Sequence, residues 1–158
     1  MSKAASPIPA GFHSLTPHLN VNGATAFMEF LKKAFSAVEI DRSPGPGGKL
    51  MHATVKIGDS MLMFSDDFSE EFHMPPVVRG NLPLHLHLYV PDADATFAQA
   101  VAAGAQVKMP LADQFWGDRY GHVVDPFGFY WAIATRKEDL TPEEQQERAA
   151  KAFGGSHP

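Results

Sequence analysis

Residues 84–90 read LHLHLYV, an alternation at the two-residue period of a half-buried strand. Leu84, Leu86, Leu88 and Val90 fall on one side, and His85, His87 and Tyr89 on the other. An earlier stretch, residues 15–21 (LTPHLNV), alternates in the same sense, with Leu15, Pro17, Leu19 and Val21 opposed to Thr16, His18 and Asn20. HLNV at His18 and HLYV at His87 lie 69 positions apart, and His52 and Gly58 recur as His122 and Gly128 at a spacing of 70. Each of the two strands is followed by a helical stripe. After Asn22, the expected N-cap, Phe27, Phe30, Leu31, Ala34 and Phe35 recur at the spacing of one helix face; after Asp92, Ala93, Phe97, Ala100, Val101 and Gly104 form a weaker stripe that ends in a glycine cap.

Further strands are expected near residues 38–42, 49–57 and 61–65 in the first half, joined by SPGPGG and GDS turns. In the second half they fall near residues 105–111, 120–125 and 129–135. The pattern is a βαβββ unit used twice, which makes the chain an α+β protein with an internal duplication. The expected organisation is a flexible leader (1–14), a first module (15–66), a linker (67–82), a second module (83–137), and a C-terminal helix and tail (138–158). The linker stretch DDFSEEFHMPPVVRGNL, from Asp66, shows no sustained period. In the tail, Thr141, Pro142 and Glu144 carry the signature of a capping box.

At 158 residues, 44% hydrophobic and 20% charged, the chain is able to bury a real core. A formal charge of -5 with no Lys/Arg stripe argues against nucleic acid as a partner. The absence of cysteine excludes disulfides, thiol nucleophiles and thiolate metal sites, so any chemistry must come from histidine, carboxylate or backbone groups. No signal peptide or membrane-spanning run is legible, and the expected location is cytoplasmic.

MHATVKIGDSMLMFSD, LHLYVPDADATFAQAVAAGA, DQFWGDRYG and DPFG, on a duplicated βαβββ pattern, resemble the vicinal oxygen chelate superfamily of glyoxalases, bleomycin-resistance proteins and extradiol dioxygenases. The PhnB-like branch is the most similar. The resemblance, which runs over about residues 15–145, implies two half-barrels around a cavity and a homodimer. It also implies metal-ligand positions on the first and last strand of each unit, which here fall on Thr16, Met63, His85 and Ala132. His85 is the usual ligand position filled by a ligand residue; a catalytic zinc normally keeps three protein ligands, and methionine and alanine do not replace carboxylates. Phe129 also stands where PhnB-like sequences often place a histidine after DPFG. A divalent metal is therefore the less favoured cofactor, and the cofactor is otherwise unassigned.

The candidate ligand-binding residues are Thr16, His18, Met63, His85, His87, Tyr89, Trp116, Arg119, Tyr120 and Tyr130. The histidines and tyrosines lie on the polar faces of the strands, where they suit hydrogen bonding or proton transfer near neutral pH. Trp116, Arg119 and Tyr120 belong to a Gly-containing loop that offers flat apolar faces and a bidentate anion donor, or packs the rim with Asp118 and Arg119 paired to each other or to neighbours. His52 and His122 are expected as edge-strand residues without a role; His13, His73 and His157 are assigned none. Met61 and Met63 suit either an adaptable cavity wall or core filling. The expectation is a small-molecule-binding protein of the bleomycin-resistance kind without the usual metal site. The alternative is a metal-dependent lyase, isomerase or dioxygenase with an atypical histidine set.

Overall fold

The computed structural model describes residues 6–73, 77 and 82–154. His157, the first five residues of the leader and part of the expected linker lie outside the described residues. The chain divides into two compact units, residues 1–79 and 80–158.

The first unit runs β1 (His18–Val21), α1 (Ala24–Phe35), β2 (Val38–Pro44), a 3-10 turn at Pro46–Gly48, β3 (Leu50–Ile57), β4 (Ser60–Asp66) and a short helix α2 (Ser69–Phe72). Its sheet has the order β1-β4-β3-β2, with β1 parallel to β4 and the remaining pairs antiparallel. The second unit repeats the plan with β5 (Leu86–Tyr89), α3 (Ala93–Ala102), β6 (Gln106–Asp113), β7 (Asp118–Val124) and β8 (Tyr130–Arg136), in the order β5-β8-β7-β6, followed by α4 (Pro142–Phe153). These are two open βαβββ half-barrels, and the α+β duplication is present. No helix among the described residues is long and apolar enough to cross a membrane.

In the first unit the α1 stripe lies on the apolar face of the sheet: Phe27, Leu31, Ala53, Val55 and Phe64 are buried, and the Phe27 and Phe64 rings meet edge to face at 5.0 Å. In the second, Phe97, Val123, Phe129, Trp131 and Ile133 fill the corresponding core. Asp125 of the DPFG turn organises that end of the sheet. Its buried carboxylate accepts hydrogen bonds from the Phe127 and Phe129 amides and from Trp131 Nε1, and Gly128 takes φ 94°. Burial pushes the Asp125 carboxyl up, against the pull of these donors.

Four expectations need correction. The first strand begins at His18 rather than Leu15, so Thr16 and Pro17 precede it, although the Pro17 carbonyl still accepts from the Met63 amide. Helix α1 is capped at Gly23, not Asn22. Gly23 takes φ 92° and offers no side chain, and Asp66 at the end of β4 accepts from both the Gly23 and Ala24 amides. The expected linker, residues 67–82, is partly structured, since α2 lies inside it. Finally, register places His18, Met63 and Thr54 in one row and His87, Ala132 and His122 in the other. The counterpart of His122 is therefore Thr54. His52, two residues earlier on β3, corresponds to Tyr120, and the 70-residue match joined non-equivalent positions. The α4 capping box is present as read, with Thr141 and Glu144 exchanging side-chain-to-backbone bonds.

Candidate functional site

The second unit carries a continuous polar and aromatic surface on the sheet face opposite α3. Its floor is Ala132 and Ala134 of β8, both fully buried. His87 and Tyr89 rise from β5 on one side, and Tyr120 and His122 from β7 on the other, with His87 and His122 in register with Ala132 and Tyr89 and Tyr120 with Ala134. The small floor residues let the walls lean inward. The His87 and Tyr120 rings stand 5.6 Å apart, His87 and Tyr89 4.5 Å, and Tyr120 and His122 4.9 Å. Tyr120 Oη and His122 Nε2 are hydrogen-bonded, and the His85 ring lies 5.6 Å from that of His122. At the His85 end, Leu82, Pro83, Leu84, His85, His122 and Tyr130 line an open depression of about 350 Å³.

At the other end of the face, Asp118 is 4% exposed and accepts at one oxygen, Oδ2, from Tyr89 Oη at 2.9 Å and Trp116 Nε1 at 3.0 Å. The Trp116 ring meets Tyr120 edge to face at 5.1 Å. The loop that carries Trp116 is anchored by the Gly117 carbonyl, which accepts from the Lys137 and Glu138 amides. Gly117 holds φ 97°, and a Cβ there would come within 3.0 Å of the Glu138 carbonyl oxygen, so the loop requires glycine.

Titration follows from this packing. Burial holds His87 below the usual histidine range, with His85 adding to the effect and Asp118 opposing it. His122 is lowered by burial and by the charges of His85 and His87. Burial and then the Asp118 carboxylate raise both Tyr89 and Tyr120, so the phenols stay protonated and act as donors.

The candidates do not all meet. His85, His87, Tyr89, Trp116, Tyr120 and Tyr130 share the face just described. Arg119 does not: strand alternation turns it toward α3, where Nε and Nη2 grip the Asp94 carboxylate at 3.1 and 2.9 Å and Nη1 lies 3.5 Å from Asp113. Asp118 and His122 were not among the candidates. Both alternate with Tyr120 along β7, and that two-residue spacing was the available signal.

In the first unit His18, Met63 and Thr54 form the equivalent row, with Asn20, Ser65 and His52 beside it. His18 Nε2 and Ser65 Oγ are 3.4 Å apart, His52 Nε2 and Thr54 Oγ1 3.0 Å, and the His18 and His52 rings 5.7 Å. Burial and the charge of His52 lower His18. Met61 and Met63 are half-buried on this face, whereas Leu62 and Phe64 are in the core. Thr16 is half-buried ahead of β1.

Residues 11–133 match the Glyoxalase/Bleomycin resistance protein/Dioxygenase superfamily. The chain belongs to that superfamily. A relative in Mycobacterium tuberculosis, the uncharacterized protein Rv0887c, is 43% identical over 136 residues, covering 84% of this chain and 80% of the relative. Among solved structures, protein PA1353 from Pseudomonas aeruginosa superposes with a TM-score of 0.64 at 25% identity, over 80% of this chain and 99% of that one. The fold also recurs in a PhnB protein from Bacillus cereus, a putative 3-demethylubiquinone-9 3-methyltransferase, with a TM-score of 0.62, 18% identity, and coverage of 78% and 99%.

The metal expected of many superfamily enzymes finds a poor donor set here. The four positions carry a hydroxyl, a thioether, one imidazole and a methyl group. Ala132, in particular, places a fully buried methyl between His87 and His122. Among the described residues no three His, Cys, Asp or Glu side chains are grouped to hold an ion. A hard divalent cation does not fit this set.

Proposed function

We propose that this superfamily member binds a small organic molecule against the polar-aromatic face of its second unit, without the usual metal centre. The observation that carries this reading is the run of touching rings from His85 through His122 and Tyr120 to Trp116, laid over an alanine floor and ending at the Asp118 carboxylate. Such a surface combines flat apolar area with directional hydrogen bonds, as ligand sites do. Tyr130 and the apolar lip of residues 82–84 extend it. His18, Met63 and Thr16 of the first unit are carried in the same proposal as secondary ligand contacts, and a homodimer as its assembly.

Melting temperature measured across a panel of small aromatic compounds tests the reading. A binder raises it, and replacing Tyr120 by alanine abolishes the rise. A flat response across the panel would sink the proposal. The His85 and His122 rings, 5.6 Å apart, favour a second reading, a metal-dependent lyase, isomerase or dioxygenase with an atypical site. Plasma mass spectrometry after exposure to Zn, Mn, Ni and Fe and desalting separates the two: about one retained metal per chain, lost in His85→Ala, selects the second.

A further inference from the structure

We infer that the ligand class taken by this face is an organic cation, an alkylated ammonium group on an apolar or aromatic body, held where Tyr89, Trp116 and Tyr120 converge on Asp118. The inference rests on the proposed reading of the face as a ligand site and adds the sign of the ligand's charge.

Asp118 is a buried carboxylate whose contacts on this face are two neutral donors, Tyr89 Oη and Trp116 Nε1, and among the described residues no cationic side chain forms an ion pair with it. Neutral donors orient a carboxylate and shield it partly; they leave its formal charge in place. Of the two arginines nearest in sequence and register, Arg119 is on the opposite face with Asp94 and Asp113. Arg136 stands in register with Asp118 on the same face, where its charge reaches Tyr89, and its Nε bonds Asp139 at 2.8 Å, so that this ion pair adds no net charge. With His87 and His122 held toward their neutral forms, the face carries net negative charge near pH 7, on a chain of formal charge -5.

The rings supply the second half of the argument. Because Tyr89 and Trp116 donate to the same oxygen, their polar edges are pinned at Asp118, while His87 packs against Tyr89 at 4.5 Å and Phe115 and Tyr120 each meet Trp116 edge to face at 5.1 Å. Tyr89 is 59% exposed, and Trp116 and Tyr120 are half-buried and nearly perpendicular, at 80°. Aromatic faces at several orientations around one negative charge suit a soft, weakly hydrated cation, whereas a carboxylate or phosphate would meet like charge and electron-rich faces. The depression bounded by Leu82, Pro83, Leu84 and Tyr130 lies further along the same face and fits the uncharged body.

The test titrates the full chain with benzyltrimethylammonium, benzyl alcohol and phenylacetate and follows the Trp116 indole N–H resonance by NMR. The expected result is that benzyltrimethylammonium binds about tenfold more tightly than the other two. Asp118→Asn should remove that preference while benzyl alcohol stays within about twofold. Should Asp118→Asn fail to fold, Trp116→Leu, followed through the Tyr89 and Tyr120 ring signals, should weaken benzyltrimethylammonium by about tenfold. Phenylacetate binding as tightly as the ammonium, or a cation preference unchanged in the variants, overturns the charge assignment and leaves the face as a ligand site. If none of the three probes perturbs Trp116, Tyr89 or Tyr120, the ligand-site reading falls together with the inference.

Discussion

In the first unit the residue closing the last strand is Asp66, and its buried carboxylate ties α1 to the sheet through the Gly23, Ala24 and Leu50 amides. The second unit puts Thr135 in that role: its hydroxyl accepts from the Ala93 amide and donates to the Val90 carbonyl, while Asp92 supplies an ordinary N-cap to α3. The polar faces differ in the opposite direction. The first unit shows contacts of 3.4 Å among His18, Ser65 and Asn20 and a 3.0 Å bond between His52 and Thr54, whereas the second gathers two side-chain donors on one buried carboxylate, Asp118. The duplicated frame thus carries a buried aspartate behind the helix in one unit and a buried aspartate on the opposite sheet face in the other. Structural demand explains the first placement, because buried amides need an acceptor. At the second, Asp118 is equally buried, at 4% exposure, but its partners are side-chain donors, Tyr89 and Trp116, rather than backbone amides.

Core substitutions test the shared frame and should have the largest effect. Phe64→Ala, at the centre of the first core, is expected to cost about 3–5 kcal/mol by denaturant unfolding, and Ile133→Val at the matching position about 0.5–1.5 kcal/mol. The helix ties come next. Asp66→Ala strands two buried amides, of Ala24 and Leu50, and the part-buried Gly23 amide, and should cost about 3 kcal/mol, while Thr135→Val should cost about 1–2 kcal/mol. Equal losses would mean that the two ties are energetically equivalent despite their chemistry.

Substitutions on the open faces should matter less for stability. Tyr89→Phe and Trp116→Phe each remove one donor to Asp118 and are expected to cost about 1 kcal/mol, whereas Asn20→Ala in the first unit should stay within about 0.5 kcal/mol. A large loss at Asn20 would erase the asymmetry between the faces.

The pH response sharpens it further. His87 and His122 are depressed in the folded state, so below the unfolded histidine value of 6.5 the unfolded chain binds protons that the native face resists. The stability contributed by these groups is present above that value and is lost as pH falls through their lowered native values. Melting curves between pH 7.5 and 5 should show this loss, and His122→Gln should reduce it. A loss of the same size in His122→Gln would contradict the placement of the sensitive imidazole.

The amino-acid sequence by itself determined the duplicated βαβββ plan, because strand and helix periods, turn glycines and the 69-residue recurrence are local patterns set by backbone geometry. It also determined that His87 and Tyr89 share one strand face, and that Thr141 and Glu144 cap α4, whereas His85, expected on the same strand, precedes β5. Tertiary structure decided which strands lie side by side, and with that which residues meet across them. Asp66 capping a helix more than forty residues earlier, Thr54 rather than His52 standing opposite Met63, and Asp118 gathering Tyr89 and Trp116 all depend on register between distant strands. A one-residue change in turn length shifts that register without leaving a mark on periodicity: two residues, Gly58 and Asp59, turn β3 into β4, while three separate Asp125 from Phe129. Arg119 shows the same limit, since its neighbours in sequence pointed to a binding rim, while the pleat turned it to Asp94 on the other side of the sheet.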